Sequence, residues 1–247
     1  NTIDQIAEQA ANFGCRAIAI TDHGDHNLKG VVSDEYFQAI NTAQSKYPTM
    51  TIMPGLEWNI PPFNGREHVT VILPESANQV RNLKAFRDRY DQFKRFDEKV
   101  LSPEHAFTWL NKHGADQGVT QPLVIYNHPS RKDFQQRENQ HDFTYWREFS
   151  NLVIGFSGAP GHQKKRGADN GSYEMYLKTV NGWDPSVENV GGEWDRLLQQ
   201  GYKIWAARAA SDFHNSKMDY WPCQFSSTHV FSNSNQQNDV IAAFQAG

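Results

Sequence analysis

The chain is short of cysteine, of long apolar runs and of any excess of one charge, and each shortage removes a class of function. Its 247 residues hold only Cys15 and Cys223, too few for a disulfide framework or a cysteine-rich zinc module. No stretch approaches the roughly 20 apolar residues needed to cross a bilayer. The first residues lack the basic and then apolar order of a signal peptide, although a cleaved signal would leave no trace. The expectation is a soluble chain, cytoplasmic or exported, with no membrane partner. With 24 Lys and Arg against 28 Asp and Glu, the net charge of −4 argues against a protein that coats nucleic acid and for a small-molecule substrate. There is no internal repeat and no linker rich in Pro, Gly or Ser, so residues 1–247 read as one domain. A composition 38% hydrophobic and 13% aromatic is enough to bury its core.

Apolar spacing switches repeatedly between helix and strand. Ile3, Ile6, Ala7 and Ala10 recur at helical intervals until Gly14, and 15–20 follows as a buried strand. The pattern then predicts helix 35–46, strand 49–53, and strand 67–73 with His68, Thr70 and Ile72 on one face. A charged helix over 79–99, a helix opening at Ser102-Pro103, strands 123–126 and 152–156, and a long surface loop 158–171 come next. Helix 193–200, strand 202–207, a last strand near 228–231 and helix 238–245 complete it. Helix following strand in this way implies right-handed βα units and a mostly parallel sheet or barrel, an α/β fold.

Acidic and histidine residues stand at the ends of separate apolar runs. Ala17-Ile18-Ala19-Ile20 leads into Thr21-Asp22-His23, and Thr51-Ile52-Met53 into Pro54-Gly55-Leu56-Glu57. Leu123-Val124-Ile125-Tyr126 leads into Asn127-His128-Pro129, and the run from Ile204 into Ser211-Asp212-Phe213-His214. In parallel strands such stops converge on one face, where these folds keep their chemistry. Imidazole with carboxylate suits Zn, Mn or Fe, and a carboxylate such as Glu57 can bridge two cations. Singly, each signal is weak. With 10 histidines, one Asp-x-His arises about once by chance, His68 alone reads as an ordinary strand residue, and Glu57 as a helix cap. His26, His105, His113, His141 and His229 fall in loops or on helices outside these motifs and read as ordinary residues. His162, in the glycine-rich loop, is a candidate proton donor or substrate contact. Arg131, with Lys164, Lys165 and Arg166, is a candidate contact for an anionic group. Trp58, Tyr126 and Trp221 neighbour motif residues as pocket-lining or rim-packing aromatics.

Taken in order, Thr21-Asp22-His23, Pro54-Gly55-Leu56-Glu57, His68, His128-Pro129 and Ser211-Asp212-Phe213-His214 resemble the polymerase and histidinol phosphatase (PHP) superfamily of metallohydrolases. The closing 240–247 segment resembles that family's last helix and glycine. The phrase Gly158-Ala159-Pro160-Gly161-His162-Gln163 and the helix at Trp194-Asp195-Arg196 resemble its carbaryl-hydrolase-like branch. The resemblance implies a distorted (β/α)7 TIM-like barrel and a site for two or three divalent ions, Zn, Mn or Fe. By the same resemblance Glu57 would bridge, with His68 and His128 on one metal and His23 and His214 on another. Asp212 would sit on a third or on the bridged pair, and Asp22 would orient its neighbours. The implied activity is a phosphoesterase using a metal-activated water. The alternatives are a carboxyl ester, amide or carbamate hydrolase on the same site, or a non-catalytic PHP-like scaffold. Family members open on a strand ending in His-x-His, which nothing before Asn1 supplies here. The expectation is a longer N-terminus carrying it rather than a degenerate site, because a barrel lacking its first strand leaves open edges.

Overall fold

A computed structural model describes residues 1–24, 31–60, 67–91, 103–115, 120–129, 145–159, 182–208 and 211–247. Helix α1 (Ile3–Asn12) opens with a reciprocal capping box between Thr2 and Gln5 and buries Ala7 and Ala10. Gly14, at φ +83°, turns the chain into strand β1 (Ala17–Ile20). Helix α2 (Asp34–Lys46) starts at Ser33, whose hydroxyl accepts from the Tyr36 amide, with Asp34 and Glu35 in its first turn. Strands β2 (Thr51–Ile60) and β3 (Glu67–Ile72) follow, then α3 (Gln79–Tyr90), α4 (Pro103–His113) and β4 (Leu123–Tyr126). A short helix at 145–149 (α5) precedes β5 (Val153–Ser157), α6 (Pro185–Glu188), α7 (Glu193–Gln199), β6 (Trp205–Arg208) and α8 (Gln237–Ala246). None of these helices is long and apolar enough to cross a membrane.

The strands form one sheet in the order β1-β2-β3-β4-β5-β6. Pairs β1/β2, β4/β5 and β5/β6 are parallel, whereas β3 runs antiparallel to both neighbours. The result is a mixed α/β sheet. Among the described residues it does not close, and β1 and β6 are its edges, so the expected seven-unit barrel is not met. The segment 228–231 makes no strand, and Phe231 is fully exposed. Its alternation of Thr, His, Val and Phe is a strand signal, but among the described residues no strand lies beside it to form a ladder. Strand β2 runs far beyond 53, through Pro54 and Gly55 to Ile60, because all ten of its residues are buried between neighbours that pair with it. Gly55 is required there: a Cβ would lie 2.8 Å from Thr21 Cγ2 and 2.9 Å from the Val71 carbonyl oxygen. Helix α3 ends at Tyr90, short of the expected 79–99, because the backbone of Asp91 is extended; residues 92–99, Ser102 and most of loop 158–171 lie outside the described residues.

Strand alternation gives the sheet two different faces. Ile52, Leu56, Trp58 and Ile60 of β2, with Val69, Val71, Val124 and Tyr126, pack on one face with residues of α1 to α4. Trp58 is the centre of that core, edge-on to Phe86 and Phe107 at 5.2 and 5.7 Å, its indole N–H donating to the Tyr90 carbonyl at 2.9 Å. On the inner face Met53, Ile72, Leu123, Ile125 and Ile154 form a second cluster, covered by Val240 and Ile241 of α8. Farther along the same parity of β2, β3 and β4 come Glu57, Thr70, His68 and Asn127. The inner face is thus apolar at the α8 end and polar at the other. A bulge in β5, where Val124 pairs with Val153 but Ile125 with Gly155, shifts the alternation and brings Ser157 to the polar end.

Cys15 and Cys223, read from sequence as too few for a framework, form a single bridge across 208 residues, with Cα atoms 5.9 Å apart. Nothing local in either segment signals that proximity. The bridge fastens the turn before β1 to the strandless segment 211–236. Closing so long a loop stabilises by up to about 5 kcal/mol in the chain-entropy account. Cys15→Ala/Cys223→Ala, or wild type in reductant, is therefore expected to lose about 2–5 kcal/mol in urea unfolding. An unchanged midpoint would show that the bridge does not form in solution.

Candidate metal centre

The polar end of the inner face is organised around one carboxylate. Glu57, buried on strand β2 next to the edge strand β1, is fixed in the backbone by an N–H donated to the Asp22 carbonyl at 3.2 Å, and it bridges to His23 in parallel fashion. Its Oε1 lies 3.3 Å from His68 Nδ1 and 3.5 Å from His128 Nε2, and accepts from Asn127 Nδ2 at 2.9 Å. Its Oε2 lies 3.3 Å from His23 Nε2. His68 Nδ1 and His128 Nε2 are 3.2 Å apart. The three atoms His68 Nδ1, His128 Nε2 and Glu57 Oε1 therefore form a triangle with edges of 3.2, 3.3 and 3.5 Å.

The sequence reaches this arrangement by four routes. His23 follows β1, Glu57 sits late in β2, and His128 follows β4, all at C-terminal strand ends. His68 comes from the start of β3, which is antiparallel, so its N-terminal end lies on the same edge, opposite Asn59. Asn127 and His128 are adjacent, yet both reach Glu57. Consecutive residues of a regular strand face opposite ways, and the left-handed backbone of His128, at φ 31°, supplies the extra turn. The buried hydroxyl of Tyr36 joins the end of β1 to the middle of β2, donating to the Ile20 carbonyl at 2.5 Å and accepting the Gly55 N–H at 3.1 Å. Asp91, also buried, accepts from the Asn59 backbone and side chain at 3.0 and 2.8 Å and fixes the far end of β2.

Burial governs the charge states. It pushes the His23 pKa down to about 4, against the pull of Glu57, so the ring is neutral at pH 7. Burial likewise lowers the His128 pKa. For Glu57 burial favours the neutral acid, but His23 and the hydrogen bonds from His128 and His68 outweigh it and hold the carboxyl well below the usual range. The site therefore offers neutral imidazole nitrogens and an ionised carboxylate, the donor forms that bind a divalent cation. The spacing fits too. Ligands about 2.1 Å from one tetrahedral cation stand roughly 3.4 Å apart, which matches the triangle's edges. His23, Glu57 and His68 also each present a donor atom within 4.8 Å of the others.

Asp212 and His214 lie on the segment after β6 and line the same cavity of 820 Å³ as Asp22, His23, Glu57 and His128. Asp212 has a left-handed backbone at φ 45°, and its carbonyl is 2.9 Å from His214 Nδ1. The buried Asp219 accepts from the backbone N–H groups of His214 and Asn215 at 2.7 and 2.9 Å. The His214 side chain is half exposed; partial burial works to lower its pKa, while Asp212, Asp219 and Glu57 together raise it. Asp22 contributes its carbonyl to Glu57 while the residue itself is exposed. Of the aromatics, Trp58 and Tyr126 pack on the helix side and not at the site, while Trp221 stacks on Phe213 at 4.4 Å. His162 and Arg131 lie outside the described residues. Asn127, which touches Glu57 directly, was not among the sequence candidates; its inward parity with Leu123 and Ile125 was the available signal.

No protein-family model matches the chain. A protein of Caldicellulosiruptor saccharolyticus named "Probable phosphatase" is 35% identical over 77 residues, 31% of this chain and 30% of that protein. Among solved structures, the two-domain protein of Bacteroides vulgatus containing a predicted PHP-like metal-dependent phosphoesterase aligns at TM-score 0.51 and 16% identity. The alignment covers 98% of this chain and 57% of that one, and shows a shared fold. A protein of Bifidobacterium adolescentis assigned as a metal-dependent phosphoesterase aligns at TM-score 0.47, with 12% identity over 92% of this chain and 87% of that one. The chain thus spans under a third of the curated relative and little more than half of the first structure.

The pKa of His23 sets a stability window for the metal-free protein. Between 6.5 and about 4 the unfolded chain takes up a proton that the folded His23 refuses, so stability falls as pH falls through that range. Glu57 adds a loss in the same direction below its ordinary value, and His214, with its raised pKa, contributes oppositely. Urea melts in EDTA are expected to show wild type losing about 2–3 kcal/mol more than His23→Gln between pH 7 and pH 4. Parallel pH profiles for the two proteins would contradict a His23 held neutral by its partial burial.

Proposed function

We propose that this chain is the catalytic part of a metal-dependent hydrolase acting on phosphate esters. The observation that carries the proposal is the triangle of His68, His128 and Glu57 Oε1, whose edges of 3.2 to 3.5 Å suit donors on one cation. The second oxygen of Glu57 facing His23 at 3.3 Å supports the finer reading in which Glu57 bridges two ions. His68 and His128 would hold one, and His23 the other with His214. Asp212 would complete either or a third. Zn, Mn and Fe all suit this donor set. The names of the relatives favour phosphate over other esters.

A divalent cation held here supplies Lewis acidity, which acidifies a water and stabilises charge on the ester oxygens. The chain's own residues do the rest. Glu57 is held ionised and His23 and His128 neutral, the charge forms in which carboxylate and imidazole take a cation. Asp22 would orient its neighbours. We assign Arg131 to contact the anionic group of the substrate and His162 to donate a proton to the leaving group.

Protein reconstituted with Zn or Mn is expected to retain two or three equivalents after desalting and to hydrolyse p-nitrophenyl phosphate. His23→Ala and Asp212→Ala should each cut kcat/KM by ~100-fold or more, with the fold preserved. No retained metal would sink the proposal. Turnover of p-nitrophenyl acetate with none of the phosphate would transfer the site to carboxyl esters.

A further inference from the structure

Asn127 is as buried as His68 and His128 and is bonded at both ends of its side chain. Its Nδ2 donates to Glu57 Oε1 at 2.9 Å. Its Oδ1 accepts from Thr70 Oγ1 at 3.1 Å and Ser157 Oγ at 3.4 Å. Its backbone N–H donates to the His68 carbonyl at 2.9 Å. One residue thereby touches β2, β3 and β5 while standing next to His128.

We propose that Asn127 is a positioning residue that fixes how Glu57 presents its two oxygens. The inference rests on the reading of Glu57 as a metal ligand. The amide can face the carboxylate only one way, because an ionised carboxylate accepts and never donates, so the NH2 end must meet it. The two hydroxyls, which can donate, then hold the oxygen end and stop the amide from rotating. The Nδ2 hydrogen bond occupies one lone-pair direction of Oε1. What is left of Oε1 faces His68 and His128, and Oε2 is left to His23. A carboxylate held in this way is directed to give one oxygen to each side and is hindered from turning both oxygens onto a single ion. Asn127 therefore favours bridging over chelation. Leucine of similar volume could fill the space but would leave the carboxylate free to swing.

Cobalt(II) alone is the probe, since its visible d–d bands report ligand number and geometry. Wild type is expected to bind Co2+ with a defined spectrum. Asn127→Leu should bind it about 10- to 100-fold more weakly and with altered bands. Thr70→Val/Ser157→Ala keeps the Nδ2 donor but frees the amide, and should fall between the two. The double variant also decides the matter if Asn127→Leu does not fold, as judged by circular dichroism of the metal-free protein. Wild-type affinity and bands in the variants, with Glu57→Gln failing to bind, would overturn the role of Asn127 while leaving the metal site intact. Equal binding by wild type and Glu57→Gln would instead overturn the reading of Glu57 on which it rests.

Discussion

Burying an ionised carboxylate in the middle of a sheet is the constraint on which the rest of this structure depends. An isolated buried charge is prohibitively costly, and proteins retain one only when hydrogen bonds or partners replace the lost water. Glu57 lies on the longest strand, all of it buried, with Asn127, His23, His68 and His128 around its two oxygens. None of these partners is local to it in sequence. Each arrives on or just after another strand, so the sheet order β1-β2-β3-β4 is also the list of what Glu57 needs. The mixed topology follows from the same demand. Reversing β3 lets its first residues stand beside the last residues of β2, which is where His68 must be.

The distribution of apolar residues sorts the two ends of the inner face. Met53, Ile72, Leu123 and Ile125 fill one end against α8, and the next inward positions on the same strands turn polar. One strand thus serves core and site by parity alone. The exceptions are informative. His128 leaves the parity of β4 through a left-handed backbone, and the bulge in β5 re-phases Ser157 to reach Asn127. Strain of this kind costs on the order of 1–3 kcal/mol per residue and persists where surrounding contacts over-determine it. The contacts at His128 are those of the Glu57 cluster.

Much of this was legible in the sequence, and the failures have physical reasons. Strand 123–126 was read to the residue, because four buried apolar residues end abruptly in Asn-His-Pro. Helices at 35–46 and 193–200 were read within a residue at each end, from apolar spacing and, for the second, the stop at Gly201. Strand β2 was cut short at 53, because Pro and Gly are strand breakers by propensity; here Pro54 pairs with Ile20 and Gly55 makes room for Thr21. The direction of β3 was hidden because alternation reads the same from either end. The histidines and acids of the site stood out by type and order. Asn127 did not, because a neutral amide carries no metal-ligand signal and its importance comes only from what it touches. The Cys15–Cys223 bridge was invisible for the same reason.

The polar residues of the cavity rest on two kinds of support. His23, Glu57, His68 and His128 are held by strand pairing and by Tyr36, at the edge of the apolar core. Asp212 and His214 lie on a segment without strand or helix, and depend on Asp219, which gathers the His214 and Asn215 amides, and on the disulfide at Cys223. A segment of that kind would normally lose considerable entropy on being ordered around a ligand. The bridge to Cys15, at the foot of the strand that delivers His23, confines it beforehand. Both halves of the site are thereby referred to one strand: β1 carries His23 at its end, and the turn before it anchors the segment bearing Asp212 and His214. Any ligand that spans the cavity from Glu57 to Asp212 therefore binds two groups whose separation is largely set before it arrives.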